Sequence, residues 1–140
     1  MSTDETTLHG GCQCGMVRYE CREPPLRSYV CHCSECRKQS SSAFGISVQV
    51  PQSAFRVVRG SAKLWSRPTG SGHVLDCWFC PRCGTRLWHQ RHGSTETLNI
   101  KGGSLDAPVD LRDAVHIWTR SALPGVMIPE GAPQFPREPD

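Results

Sequence analysis

Aromatic side chains are scarce in this chain, at 7% of residues, and apolar residues of all kinds reach only 37%. A core built from so little is modest, although 140 residues are enough to bury one. No apolar run approaches the length that crosses a bilayer, which excludes a membrane-spanning helix. The opening MSTDETTLHGG is polar and acidic and lacks the hydrophobic stretch of an export signal. A cytoplasmic protein with reduced thiols is therefore expected. Massed charge of one sign is missing as well: the formal net charge is +3, and the basic residues are scattered. Nucleic-acid binding draws most of its affinity from a basic stripe, so it is excluded as a partner class. No stretch keeps a helical apolar period over about twelve residues, which excludes long amphipathic helices.

What remains is a succession of short strand-like segments broken by turn residues. MVRYEC (16–21), SYVCHC (28–33), FGISVQV (44–50), FRVVRG (55–60) and AKLWS (62–66) come first. HVLDCWF (73–79), TRLWHQ (85–90), TLNIKG (97–102) and AVHIWT (114–119) follow. Single helical turns fit at Ser34–Lys38 and Pro51–Ala54. Five of the eleven prolines lie beyond residue 123, so the end of the chain reads as an extended wrap over the surface. The pattern predicts one mainly β, antiparallel domain with little helix. A flexible lead over 1–7, a folded domain over 8–126 and a Pro-rich tail over 127–140 are expected.

Against this thin background stand nine cysteines. In a reducing compartment such density points to metal or catalysis rather than disulfides, and an odd count suits disulfides poorly. They fall into CQC (Cys12, Cys14), CHCSEC (Cys31, Cys33, Cys36) and CPRC (Cys80, Cys83), with Cys21 and Cys77 left over. CPRCG has the form of a zinc knuckle, and CQC is its natural partner: in an extended segment positions i and i+2 share a face, so Cys12 and Cys14 reach one ion together. That makes a closed four-sulfur structural site. Cys31 and Cys33 share a face in the same way and Cys36 returns to them over one turn, while His32 points away. Candidates to complete this second tetrahedron are Cys77, His73, His89 and His116. If none does, the three-sulfur site is open, as catalytic zinc sites are. Three thiolates leave a divalent centre at −1, a weak Lewis acid that suits ionisation of an incoming thiol better than hydrolysis.

GGCQCGMVRYE, VCHCSECRKQSSSAFG, FCPRCGTRLW, IKGGSLD and HIWTRSALPGV together resemble the glutathione-dependent formaldehyde-activating (GFA) family. That family includes S-(hydroxymethyl)glutathione synthase and, more distantly, centromere protein V. The resemblance spans roughly residues 8 to 126. It implies a β-tent fold with two zinc ions: a structural one on Cys12, Cys14, Cys80 and Cys83, and a catalytic one on Cys31, Cys33 and Cys36. It also implies a carbon–sulfur lyase that condenses glutathione with formaldehyde, and docking of the thiol sulfur on the open zinc is the mechanism expected. Small-molecule thiol and aldehyde are then the partners. Arg37, Lys38, Arg67, Arg86 and Arg120 are candidates to grip glutathione's carboxylates. Two features depart from the family pattern. Ser41 stands where many members have glycine, and Cys77 adds a second CxxC.

Two other classes compete. A non-catalytic zinc-ribbon module or glutathione carrier would use both metals for shape or binding alone. A zinc deaminase is imitated by Cys33-Ser34-Glu35 followed by Cys80–Cys83, but Phe79 replaces the signature proline and the helices of that fold are missing.

Overall fold

The structure, a computed structural model, describes residues 7–138; most of the expected N-terminal lead and the last two residues of the tail lie outside them. Ten strands and one α-helix follow in order. They are β1 (Leu8–Gly11), β2 (Arg18–Cys21), β3 (Arg27–Cys31), α1 (Ser34–Ser40), β4 (Gly45–Pro51) and β5 (Phe55–Arg59). β6 (Lys63–Pro68), β7 (Val74–Phe79), β8 (Arg86–Arg91), β9 (Thr97–Lys101) and β10 (Val115–Ile117) complete the set. Every predicted strand segment overlaps one of them. The strand not anticipated is β1, whose His-Gly-Gly sequence carries no strand propensity and forms by pairing with β2.

The strands make a three-stranded sheet, β1-β2-β5, and a seven-stranded one, β10-β3-β4-β9-β8-β7-β6. All ladders are antiparallel except β10 with β3, which run parallel. The Pro-rich end supports that strand: the amide of His116 donates to Pro133 O and the amide of Phe135 to His116 O, both at 2.9 Å.

The two sheets close on a core contributed by both. Tyr19 and Cys21 of the smaller sheet, with Val17 just before β2, meet Val48, Val50, Leu98 and Ile100 of the larger. Tyr19, Phe55, Trp88 and Trp78 form a chain of aromatic contacts with centroids 4.9–5.5 Å apart. Register then sets the other face of the large sheet. Tyr29 pairs with Ser47, Ser47 with Lys101, Gln49 with Asn99, Asn99 with His89, and His89 with Cys77. Paired residues point to the same side, so one face is apolar and packed while the other is a concave polar surface.

Candidate metal centres

The first cysteine pair sits in a turn, not in the extended segment the spacing suggested. Gly15 N donates to Cys12 O at 3.1 Å, and Gly15 takes φ +80°, a conformation open to glycine without penalty. The turn still delivers both sulfurs to one point, because it folds Cys14 back beside Cys12. The CPRCG segment does the same across the molecule. Gly84 N donates to Cys80 O at 2.9 Å with φ +83°, and the amides of Arg82 and Cys83 point at Cys80 Sγ.

The sulfurs of Cys12, Cys14, Cys80 and Cys83 all lie within 4.8 Å of one another. Cys12 to Cys14 is 3.6 Å and Cys14 to Cys80 is 3.8 Å. A tetrahedron of sulfurs 2.3 Å from zinc has edges of about 3.8 Å, so the spacing fits a metal and is far too long for a disulfide. All nine cysteines are free thiols. Cys83 is pushed down to about 5, first by the Thr85 hydroxyl and then by backbone donors. Val17 N donates to Cys12 Sγ at 3.2 Å, another contact that favours sulfur as an anion.

Cys31, Cys33 and Cys36 form the second group, again within 4.8 Å of one another. Cys31 ends β3, and Cys33 is the N-cap of α1, its sulfur accepting from Cys36 N at 3.3 Å. The helix ends at Ser41, with φ 51° and ψ 44°, as Ser41 N and Ser42 N donate to Lys38 O and Arg37 O. Serine thus occupies the left-handed position where glycine is at ease. Cys33 is pushed down to about 2 by hydrogen bonds from Cys31 and Cys36, and the Cys31 thiol is pushed up by its bond to Cys33. One thiolate is stabilised at its neighbours' expense, so ionising all three needs a cation among them. Both groups therefore have the donor chemistry and spacing to hold a metal ion.

Among the described residues, no fourth Cys, His, Asp or Glu joins the second group. Cys77 is buried and takes a 3.5 Å hydrogen bond from the Gln39 amide. Cys21 is a fully buried core thiol. His116 lies beside His32, ring nitrogens 3.0 Å apart, and His32 points away from the cluster as its place between two same-face cysteines predicts. His73 and His89 line a cleft instead of completing the cluster.

That cleft, of about 820 Å³, is lined by the polar face of the large sheet together with Cys31, Cys33 and Cys36. Arg67, Arg91 and Arg120 supply its cationic groups, His73 and His89 its imidazoles, and Glu35, Glu96 and Glu138 its carboxylates. Burial pushes His89 down to about 3, with Lys101 and Arg67 adding to the effect, so its ring is neutral at pH 7. His89 Nδ1 and Arg67 Nε are buried without a hydrogen-bond partner. The remaining arginine candidates are committed elsewhere. Arg37 bonds the carbonyls of Ser121 and His32, which ties α1 to the segment after β10. Arg86 stacks against Trp65 and Phe79. Lys38 is an exposed helix residue outside the cleft lining. Arg91 had no distinguishing sequence signal; it enters through its pairing with Leu75.

A second residue escaped sequence reasoning. Lys101 is 7% exposed, and its Nζ has no hydrogen-bond partner. Burial pushes it down from the usual lysine range, while the sulfurs of Cys36 and Cys31 push back. Its IKGG context reads simply as the end of a strand, so nothing local marks it.

Comparison with known proteins agrees with this construction. A solved crystal structure of a Rhodobacter sphaeroides protein is 30% identical, with a TM-score of 0.57. The match covers 77% of this chain and 98% of that one. The model of the family described as glutathione-dependent formaldehyde-activating enzyme matches residues 7–121, a span that includes both cysteine clusters and the polar face between them. The chain belongs to the glutathione-dependent formaldehyde-activating enzyme family.

Proposed function

We propose that this protein is a zinc-dependent carbon–sulfur lyase that joins a glutathione-type thiol to formaldehyde. The observation that carries the reading is the three-sulfur cluster, which has no fourth protein ligand among the described residues and lines the cleft. Cys12, Cys14, Cys80 and Cys83 hold a structural zinc that fastens the turn between β1 and β2 to the turn between β7 and β8. Cys31, Cys33 and Cys36 hold the catalytic one. A zinc ion held by these three sulfurs would supply the positive charge that lowers a substrate thiol's pKa and favours its nucleophilic thiolate form.

The chain's own residues orient the reactants. Arg67 and Arg91 are the cations of the sheet face and are suited to a carboxylate of the thiol, which a guanidinium can grip with two bonds. Gln49 and Asn99, cross-strand neighbours on that face, offer amide donors and acceptors to a peptide backbone. His89, held neutral, offers an uncharged imidazole that does not compete for the thiolate. In the reaction a C–S bond forms, the carbonyl π bond breaks, and the proton lost by sulfur ends on the former carbonyl oxygen. No oxidant or reductant is needed, and the reverse path cleaves the same bond. Thiolate ligands need reduced cysteines, which accords with a cytoplasmic setting.

The test is exchange NMR of formaldehyde and glutathione with zinc-loaded protein. Exchange faster than the spontaneous reaction, lost in Cys36→Ser, is expected. Glutathione binding with no acceleration would instead make the protein a carrier and remove the catalytic assignment.

A further inference from the structure

An ammonium group with no hydrogen-bond partner and almost no solvent is costly unless an opposite charge lies close by. Lys101 is such a group, and register places it against the three-sulfur cluster. On β4, Gly45 pairs with Cys31 of β3, and the next residue on the same face, Ser47, pairs with Lys101 of β9. Gly45 leaves room for the approach. A Cβ at that position would stand 3.1 Å from Cys36 Cβ and 3.6 Å from Lys101 Nζ. The cysteine and the lysine therefore share the space of the missing side chain. The other cations of the region are turned elsewhere: Arg37 to backbone carbonyls and Arg86 to aromatic rings.

We infer that Lys101 is a built-in counter-charge that makes the Cys31/Cys33/Cys36 centre select an anionic fourth ligand over a neutral one. Three thiolates around a divalent ion sum to −1, and an incoming thiolate takes the assembly to −2 in a partly buried setting. Lys101 offsets that added charge from behind, sealed from the cleft, so it acts through the cysteines and is a positioning residue. A neutral ligand adds no charge and gains nothing from it. For the thiol this inference rests on the open position proposed above; for other anions it does not.

The experiment titrates zinc-loaded protein calorimetrically with glutathione, with azide as an anion unrelated to the substrate, and with imidazole as a neutral ligand. Lys101→Met should weaken glutathione and azide at least tenfold while leaving imidazole within twofold. Lys101→Arg, which keeps the charge, should restore both anions to within about threefold of wild type. Should Lys101→Met fold poorly, Lys101→Gln against Lys101→Arg gives the same contrast. Equal loss for all three ligands, or no loss for the anions, overturns the inference. If wild type ignores glutathione yet shows the azide contrast, the proposed substrate falls and the role of Lys101 stands. If wild type binds glutathione and the variant binds it equally well, only the role of Lys101 falls.

Discussion

Replacing Cys80 by serine separates the mechanical role proposed for the four-sulfur centre from the chemical role proposed for the three-sulfur one. Cys80 is fully buried, and its sulfur lies 3.8 Å from that of Cys14, 66 positions away in sequence. A metal joining them closes a long loop across the two sheets. The chain-entropy relation for a cross-link of that span gives about 4 kcal/mol. With an unfolding entropy of about 2.1 cal/mol/K per residue, a chain of 140 residues should melt about 14 °C lower. Cys36→Ser breaks a cluster confined to residues 31–36. The same relation gives about 2 kcal/mol for so short a loop, hence a shift of about 7 °C. The assay is calorimetry of both variants with excess zinc and reductant, alongside metal content by emission spectrometry. Each variant should retain one zinc of two. If Cys80→Ser holds one zinc yet melts within about 3 °C of wild type, the four-sulfur centre is not a staple between sheets. A Cys36→Ser protein that is the less stable of the two would refute the division of labour.

Three further outcomes follow from particular contacts. Arg67→Met should raise KM for glutathione about tenfold with kcat little changed, the effect expected when one charged hydrogen bond to a bound carboxylate is lost; an unchanged KM would place the carboxylate elsewhere. Ser41→Gly relieves a left-handed serine at the end of α1 and should stabilise by about 0.5–1 kcal/mol in urea unfolding; loss of stability would show that the Ser41 side chain matters more than its backbone. Asp76 is held below the ordinary carboxylate range, first by the Ser66 hydroxyl at 2.6 Å and then by His92. A lowered pKa in the folded state gives stability that is present above about pH 4 and lost as pH falls further. Ser66→Ala should therefore melt below wild type at pH 7, with the gap closing toward pH 2 in thermal scans; a gap independent of pH would remove the ionic contribution.

Much of the architecture was legible because it is written locally. Alternation and turn residues marked nine strand segments, and each overlaps a strand. What escaped was non-local. β1 has no propensity of its own and exists because β2 pairs with it. β10 pairs in parallel with β3, and Pro133 and Phe135 from the far end of the chain bond back to His116 within it. The CQC segment is a turn because Gly15 lets the chain reverse, a choice that cysteine spacing alone does not distinguish from an extended pair.

The cysteine groups themselves were determined by sequence, since ligands two or three residues apart are brought together by a single turn whatever the rest of the fold does. The partnership of Cys12 and Cys14 with Cys80 and Cys83 followed from needing four sulfurs. Only the tertiary structure decided that Cys77, His73, His89 and His116 all stay out of the second cluster. It alone laid Gln49, Asn99 and His89 in one cross-strand row and set Lys101 behind Cys36. The physical reason is register: a slip of one residue in any ladder turns a side chain to the opposite face, and register between distant strands is set by the packing of the whole core.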